Sequence, residues 1–424
     1  MVEVGRAPRA ASSPAARRSG TVALWVTFAV THAWTALLGV GALRQAAFFD
    51  VELYRLWVAS GSGYGWWPVF DHDWVYPVGA LLPMSALLPW ATSPVGYAVA
   101  WAVLVTLLDA AAVLALLRGT RSGLAGAWWW VGAALALGPV GMGRLDGLVA
   151  PITVMALVWA ARRPRVAALL LTVGAWIKVA PGGALLALAT AARRPWRDAL
   201  VPAAVLSALV VGGALVLGAG PRVLGFLGQQ DGRGLQVEAV GATPFSLARL
   251  WDGGIRAVLN TDLNTFELEG VDTSLVARAL DVAMVLAVVA LLWLGWRARQ
   301  VRPAGSPSAA VDVPLLLLMS FALAIALFTF NKVGSPQYMS WLLPAVAVAL
   351  GVEGWSSRWR APAVVVVVAA ALTQWLFPLD YLGFLWAWPP VVLAEAVRNV
   401  LLVWLLAWAT VELWEAGRRQ AGRR

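Results

Sequence analysis

Long apolar runs separated by short polar segments fill most of this chain. A membrane-spanning helix needs about 20 consecutive apolar residues, and the runs are about that long or a little shorter. Residues 79–91 are also apolar, but Pro83 and Pro89 interrupt them, which predicts a helix at the membrane interface. The predicted spans are residues 22–43, 95–117, 123–142, 145–161, 199–218, 277–297, 313–330, 337–351, 361–377 and 391–413.

One further apolar stretch, residues 166–192, does not fit a single span. It lies between the basic residues Arg165 and Arg193, and Lys178 is its one charged residue. At about 1.5 Å of rise per residue, Lys178 lies roughly 18 Å into the stretch, past the middle of a hydrocarbon core of about 30 Å. Pro181 and the two glycines after it allow the chain to turn back. The stretch therefore predicts two short helices with a cation at their apex.

Basic residues concentrate in alternate short loops, whereas two longer loops carry most of the acidic residues, Asp231 and Asp262 among them. Arg-rich loops face the cytoplasm in membrane proteins. We therefore expect a multi-pass protein of the bacterial plasma membrane with both termini in the cytoplasm. The predicted organisation is a disordered basic tail (1–20), a membrane domain (21–415) with extracytoplasmic loops 44–94 and 219–276, and a basic cytoplasmic tail (416–424).

The composition agrees with an all-α polytopic membrane protein. The chain is 61% hydrophobic and only 13% charged, and its mean hydropathy of +0.75 is far above that of a soluble domain. It contains no cysteine, which excludes disulfides and thiolate metal sites, and its two histidines argue against a multi-histidine site. The net charge of +10 lies mostly in short loops, so it reports topology and does not indicate nucleic-acid binding.

Polar residues from widely separated segments are predicted to meet near the outer membrane surface. An ionisable residue at membrane depth is costly and indicates a functional site by default. Several cations beside carboxylates require an anionic ligand, for which a lipid phosphate or pyrophosphate fits best. The residues in question are Asp50, Glu52, Arg144, Asp146, Lys178, Lys332 and Gln337.

The stretch FFDVELYR places Asp50 and Glu52 just after the first apolar run, beside Phe48 and Phe49. The two acids could simply end a helix in solvent. Alternatively, a carboxylate partly desolvated by the aromatic rings gains basicity and serves as a general base. The sequence leaves both interpretations open.

The cations also have two interpretations each. Arg144 and Asp146, within GRLDG, could form a local ion pair in an ordinary loop. Lys178 could extend its side chain to the interface, although it has far to reach, and Lys332 could be an interfacial anchor. In the functional interpretation all three cations are candidates to hold a phosphate.

Other chemistries have weaker support. Asp71 and Asp73 could hold a divalent ion, but these two carboxylates supply few of the ligands that such an ion needs. The sequence has no Gly-rich phosphate loop and no dinucleotide fingerprint. A transporter or lipid flippase would also use intramembrane charges. However, the chain has no clear internal repeat, and its long loop 219–276 favours an enzyme acting at the membrane surface.

Six segments of the chain form a recognisable set, namely FFDVELYRLW (48–57), VYP (75–77), GRLDGLVAP (143–151), WIKVAP (176–181), GRGLQVEAVGATPF (232–245) and KVGSPQYMSWLLP (332–344). Together they resemble glycosyltransferase family 87, the actinobacterial polyprenol-phosphate-mannose-dependent mannosyltransferases and their relatives of the GT-C class. The resemblance covers about residues 45 to 345 in family order.

The resemblance implies a bundle of about 12 transmembrane helices with an active site on the extracytoplasmic side. It implies a catalytic aspartate at Asp50 and a polyprenyl-phosphate sugar as donor, usually mannose, with arabinofuranose as the alternative sugar. The acceptor would be a lipid or a glycan, and glycolipids, polysaccharides and proteins remain open. Membrane lipids are expected neighbours, whereas no nucleic acid, obligate protein partner, cofactor or metal is expected.

The expected reaction is a single displacement that inverts the anomeric centre. Asp50 accepts a proton from the acceptor hydroxyl, and cations stabilise the departing phosphate. The candidate phosphate ligands are Lys178, Lys332 and Arg144. Further residues expected to bind substrate or to shape the covering loop are Glu52, Tyr54, Tyr76, Asp146, Arg233, Glu238, Gln337 and Tyr338.

Overall fold

A computed structural model describes residues 14–230, 233–261, 265–300 and 310–418. Within them the chain is almost entirely helical, with one small β-hairpin. The α-helices are α1 (Pro14–Val40), α2 (Phe49–Tyr64), α3 (Leu81–Ala86), α4 (Pro94–Gly119), α5 (Gly123–Leu137), α6 (Pro139–Met142), α7 (Asp146–Trp159), α8 (Pro164–Ile177), α9 (Pro181–Ala191), α10 (Val201–Val216), α11 (Thr243–Ala248), α12 (Ser274–Gln300), α13 (Val313–Thr329), α14 (Leu343–Glu353), α15 (Arg360–Gln374), α16 (Tyr381–Leu385) and α17 (Pro389–Arg418).

Six of these helical segments are long and apolar enough to cross a membrane, judged by length and composition among the described residues. Five further apolar helices have only 10–17 residues. The all-α membrane architecture is therefore confirmed, whereas the figure of about 12 spans stays a prediction. The long segments are Arg18–Val40, Pro94–Gly119, Trp196–Val216, Ser274–Gln300, Arg360–Leu379 and Pro389–Arg418.

The predicted pair of short helices is present as α8 and α9. Helix α8 ends at Ile177, and Lys178 adopts an extended conformation with φ −150° and ψ 133°. Helix α9 then begins at Pro181, whose fixed φ and missing N–H suit a first helical position. Lys178 therefore lies in the break between the two helices.

Some boundaries differ from the sequence predictions. Helix α1 begins at Pro14, so residues 14–20 belong to a helix and not to a disordered tail. Residues 79–91 form short helical pieces in place of one interfacial helix. The predicted span 337–351 is a 3₁₀ segment, Pro336–Trp341, followed by the short α14. Predictions about residues 1–13, 231, 262 and 419–424 lie outside the described residues.

Helices α13 and α14 form the centre of the bundle, and nearly all of their residues are buried. By contrast, only 11% of the most apolar window is buried in the span that contains α10, and the same holds for α12. Large apolar residues such as Leu209 and Leu286 are exposed there. Exposed apolar surfaces of this size are unfavourable in water, and a bilayer would cover them.

A small cap of irregular chain covers one end of the bundle. It contains an antiparallel hairpin of β1 (Arg256–Asn260) and β2 (Thr265–Glu269), in which Val258 pairs with Glu267. The segment 235–242 packs beside β2, because the Val237 amide donates to the Phe266 carbonyl at 3.0 Å. A separate apolar cluster joins this cap to α16 and the start of α17.

Candidate active site

A cavity with two adjoining chambers lies beneath this cap. The carboxylate chamber, of about 520 Å³, contains Asp50, Arg144 and Glu238. The lysine chamber, of about 290 Å³, contains Lys178 and Tyr338 and has many apolar wall residues. The chambers meet at residues that line both, namely Val75, Tyr76, Arg233, Ser335 and Gln337.

Asp50 is held in place by Arg144. The Arg144 Nε lies 3.2 Å from the Asp50 Oδ2, and the Asp50 side chain is 19% exposed. The Arg144 Nη1 also donates to the Ala47 carbonyl at 3.0 Å, which ties the guanidinium to the chain just before α2. Asp50 lies in the first turn of α2, where the helix dipole favours an anion. These contacts fix the orientation of the Asp50 carboxylate at the chamber wall.

The close approach of Arg144 depends on Gly143. A Cβ at Gly143 would lie 2.3 Å from the Ala47 carbonyl oxygen and 2.7 Å from the Phe48 ring. Only glycine therefore lets the GRLDG turn pack against the start of α2. This packing selects the Arg144–Asp50 pair in place of the local Arg144–Asp146 pair that the sequence left open.

Asp146 pairs instead with Lys178. The Lys178 Nζ lies 3.8 Å from the Asp146 Oδ2, and the Asp146 side chain is only 1% exposed. The Trp341 indole donates to the Asp146 Oδ1 at 2.6 Å. The Lys178 Nζ also lies 4.7 Å from the centroid of the Tyr76 ring, a cation–π contact. The apex cation thus has a carboxylate partner and an aromatic face.

Tyr54 lies next to Tyr76, with ring centroids 6.2 Å apart, but only Tyr76 lines the chambers. Tyr54 is buried against Trp101, with ring centroids 4.9 Å apart, and its hydroxyl accepts from the Leu145 amide at 3.4 Å. Burial, more than any neighbouring charge, raises the pKa of both phenols. The two tyrosines therefore stay neutral and act as hydrogen-bonding groups, and Tyr76 lines both chambers.

Glu238 is a second carboxyl group in the carboxylate chamber. It is 2% exposed and accepts a hydrogen bond from the Tyr381 hydroxyl. The Arg398 Nη2 donates to the Glu238 carbonyl at 2.7 Å. Burial raises the pKa of the Glu238 carboxyl, and the bond from Tyr381 offsets part of this. A Cβ at Gly334 would lie 2.2 Å from the Glu238 backbone, so this glycine allows the two loops to touch.

Four predicted site residues line neither chamber, namely Glu52, Tyr54, Asp146 and Lys332. Glu52 lines neither chamber, and its Oε1 pairs with Arg55 at 2.7 Å. Lys332 also lines neither chamber, because its Nζ pairs with Asp281 of α12 at 2.9 Å. The backbone of Lys332 has a structural contact instead, since its carbonyl accepts from the Gln236 amide at 3.0 Å.

The remaining predicted residues do reach the cavity. Gln337 and Arg233 lie at the junction of the chambers, and Tyr338 lies in the lysine chamber. The Tyr338 ring stacks on Trp341 with centroids 3.9 Å apart, which extends the contacts around Asp146. The sequence therefore placed most of its candidates at one site.

Other residues of the site were missed. Tyr381 and Trp341 carried no signal that separates them from ordinary interfacial residues. By contrast, the polar positions Glu395 and Arg398 are visible within an apolar span, at a spacing that puts both on one helix face. Both are fully buried, with the Arg398 Nη2 3.8 Å from the Glu395 Oε1.

The thin metal site considered at Asp71 and Asp73 gains no support. Among the residues that the structure describes, no group of three or more histidine, cysteine or acidic residues could hold a metal ion. Asp71 accepts from the Trp67 amide at 2.7 Å and so has a local role. A reaction without metal stays a prediction.

The fold and the cavity define a helical integral membrane protein with an internal, charged site. The model of glycosyltransferase family 87 matches residues 74–320, more than half of the chain. The chain therefore belongs to glycosyltransferase family 87 and is a membrane glycosyltransferase. The match includes Arg144, Asp146, Lys178 and Arg233, whereas Asp50 lies before it. No curated protein matches the chain.

Proposed function

We propose that this protein transfers a hexose, with mannose as the first candidate, from a polyprenyl-phosphate sugar to a lipid or glycan acceptor. Membership of the family supplies the reaction class, glycosyl transfer. The sugar and the donor come from the resemblance of the sequence segments. The residues in the two chambers supply the chemistry that we assign to the site.

One observation carries the proposal: the chamber with an oriented carboxylate adjoins the chamber with a partly buried lysine. A lipid-phosphate sugar has an anionic phosphate next to its anomeric carbon. With the phosphate near Lys178, the sugar can extend past Tyr76 towards Asp50. The apolar wall of the lysine chamber, which includes Leu227 and Met284, suits the start of a lipid tail.

The proposed reaction is a single displacement. Asp50 accepts the proton of the acceptor hydroxyl, whose oxygen attacks the anomeric carbon. The bond between this carbon and the phosphate oxygen breaks, and its electron pair leaves with the phosphate. Lys178 stabilises the negative charge that develops there. The anomeric centre inverts, so a β-linked donor gives an α-linked product.

The proposed location is the extracytoplasmic face of the plasma membrane. The support is the charge distribution, because the short Arg-rich loops fall on the side opposite to the long loops. The cavity is lined by residues of these long loops, including Asp50, Tyr76 and Arg233. Donor and acceptor would therefore meet on the outer side.

The test is a transfer assay with the full chain in vesicles, radiolabelled polyprenyl-phosphate mannose and extracted lipids and glycans as acceptors. Loss of a general base typically slows a reaction about 10²- to 10⁴-fold, so we expect Asp50→Asn to reduce transfer at least ~100-fold. Glu52→Gln is the matched control, because Glu52 lies two positions further on and pairs with Arg55 outside the chambers. It should retain most of the activity.

Two outcomes would contradict the proposal. If Asp50→Asn keeps more than about a tenth of wild-type transfer, the base lies elsewhere. If the wild type moves no sugar from any polyprenyl-phosphate donor but exchanges lipids between leaflets, the protein is a transporter. The Asn variant should still fold, because Arg144 keeps its bonds to the Ala46 and Ala47 carbonyls. Gel filtration checks this point.

A further inference from the structure

The cations predicted to hold a phosphate already have carboxylate partners. A cation in an ion pair is largely neutralised, so it contributes less net charge to an incoming anion. Lys178 keeps part of its capacity, because its pair is long and its side chain is 15% exposed beside the lysine chamber. The pairs are Arg144–Asp50 at 3.2 Å, Lys178–Asp146 at 3.8 Å and Lys332–Asp281 at 2.9 Å.

Arg233 is different. It lines both chambers, and its guanidinium has no hydrogen bond or ion pair among the residues that the structure describes. Its Nε is buried without a hydrogen-bond partner. Burial raises the pKa of the Tyr338 hydroxyl, and the positive charge of Arg233 offsets part of this rise. A buried guanidinium donor without an acceptor is costly unless a ligand supplies one.

The backbone that carries Arg233 is anchored on two sides. The amide of the next residue, Gly234, donates to the Glu267 Oε1 at 3.1 Å. Two residues further on, the Gln236 amide donates to the Lys332 carbonyl at 3.0 Å. These bonds connect the segment to the hairpin and to the loop before α14. The guanidinium is therefore presented to the junction by a fixed backbone.

We infer that Arg233 binds the donor phosphate together with Lys178, at the junction of the two chambers, and that Lys332 and Arg144 do not. The inference rests on the proposed function, since it names the second phosphate ligand of the same site. Arginine suits this role, because its planar fork matches two phosphate oxygens at once. Arg144 then positions Asp50, and Lys332 anchors the covering loop to α12.

The charges of the chambers agree with this assignment. The pairs made by Asp50 and Asp146 are each neutral, and burial raises the pKa of Glu238, which favours its neutral form. Arg233 therefore contributes an unpaired positive charge to the site. A lipid-phosphate sugar carries one negative charge and balances it. When the sugar leaves, the phosphate gains a second negative charge while Asp50 becomes protonated, so the site stays balanced.

Binding of farnesyl phosphate, a short isoprenoid phosphate, to the detergent-solubilised full chain tests the inference without requiring transfer. Farnesol is the neutral reference ligand. We expect Arg233→Gln to raise the Kd for farnesyl phosphate about 10- to 100-fold, as for loss of a charge-assisted hydrogen-bonded pair, with the farnesol affinity unchanged. Arg233→Lys should lie between wild type and Gln. Arg222→Gln is the control, because Arg222 lies on the same loop, donates to the Phe70 carbonyl and lines neither chamber.

The outcomes separate this inference from the proposed function. If both Arg233 variants prefer farnesyl phosphate to farnesol as strongly as wild type and Arg222→Gln do, the inference is wrong and the proposed function stands. If wild type shows no preference for the phosphate, both are wrong. Unchanged farnesol binding shows that a variant is folded. A parallel loss of farnesol binding in both Arg233 variants would make the residue structural and overturn the inference.

Discussion

Replacement of Lys178 by methionine should destabilise the protein, although it removes a charge from the apolar part of the chain. At 3.8 Å and an effective dielectric constant of about 20, the attraction between Lys178 and Asp146 is roughly 4 kcal/mol. Removal of lysine also removes its own desolvation cost. Asp146 keeps the Trp341 indole bond but is left 1% exposed and without its cation. We expect the free energy of unfolding to fall by about 2 kcal/mol. This is less than the roughly 3–5 kcal/mol lost when one partner of a tighter buried pair is removed.

The double variant Lys178→Met with Asp146→Asn should recover most of this stability. The Asn side chain is neutral, and its oxygen can still accept from Trp341. Such a recovery is the coupling that a double-mutant cycle measures. Thermal unfolding in detergent, followed by tryptophan fluorescence, suits this protein, which has 26 tryptophans and no cysteine for thiol-reactive dyes. If Lys178→Met unfolds at the wild-type temperature and Asp146→Asn changes nothing further, the ion pair contributes no stability and the reasoning fails.

Two further predictions concern topology and pH. A cysteine in place of Trp251, which is 77% exposed, should react with an impermeant maleimide added to intact cells. A cysteine in place of the exposed Arg163 should react only after permeabilisation. The opposite pattern refutes the proposed orientation. Burial raises the pKa of the Glu238 carboxyl above its usual 4.5. The folded state therefore holds the carboxyl proton more tightly than the unfolded state does. The stability that this provides is lost as pH rises through the folded pKa. The unfolding temperature of wild type relative to Glu238→Gln should therefore fall as pH rises above 4.5, and a constant difference would show that Glu238 does not hold its proton.

The sequence predicted which residues meet at the site better than it predicted how they pair. Hydropathy marks how deep a residue lies, because polar residues at the ends of apolar runs come to the same level. Asp50, Arg144 and Lys178 were found in this way. Hydropathy does not mark the side of a helix from which a partner approaches. Arg144 pairs with Asp50 because of the close contact at Gly143, which joins segments about a hundred positions apart.

Lys332 shows the same limit. Its position in KVGSPQY suggested a phosphate ligand, but its partner Asp281 lies within an apolar run that predicts a membrane span. An acid in such a run has no visible partner in the sequence. Only the packing of α12 beside the loop before α14 brings the two together. The fold class, by contrast, follows from run length and composition alone, since in a membrane the backbone must satisfy its own hydrogen bonds.

The GRLDG turn links the proposed base to the proposed phosphate site. Arg144 pairs with Asp50, and Asp146, two residues later, pairs with Lys178. A proton arriving on Asp50 weakens its attraction for Arg144 just as charge builds on the phosphate near Lys178. The freed positive charge lies on the wall of the carboxylate chamber, where it offsets part of that new negative charge. One short turn can therefore couple proton uptake to phosphate departure without any large movement of the bundle.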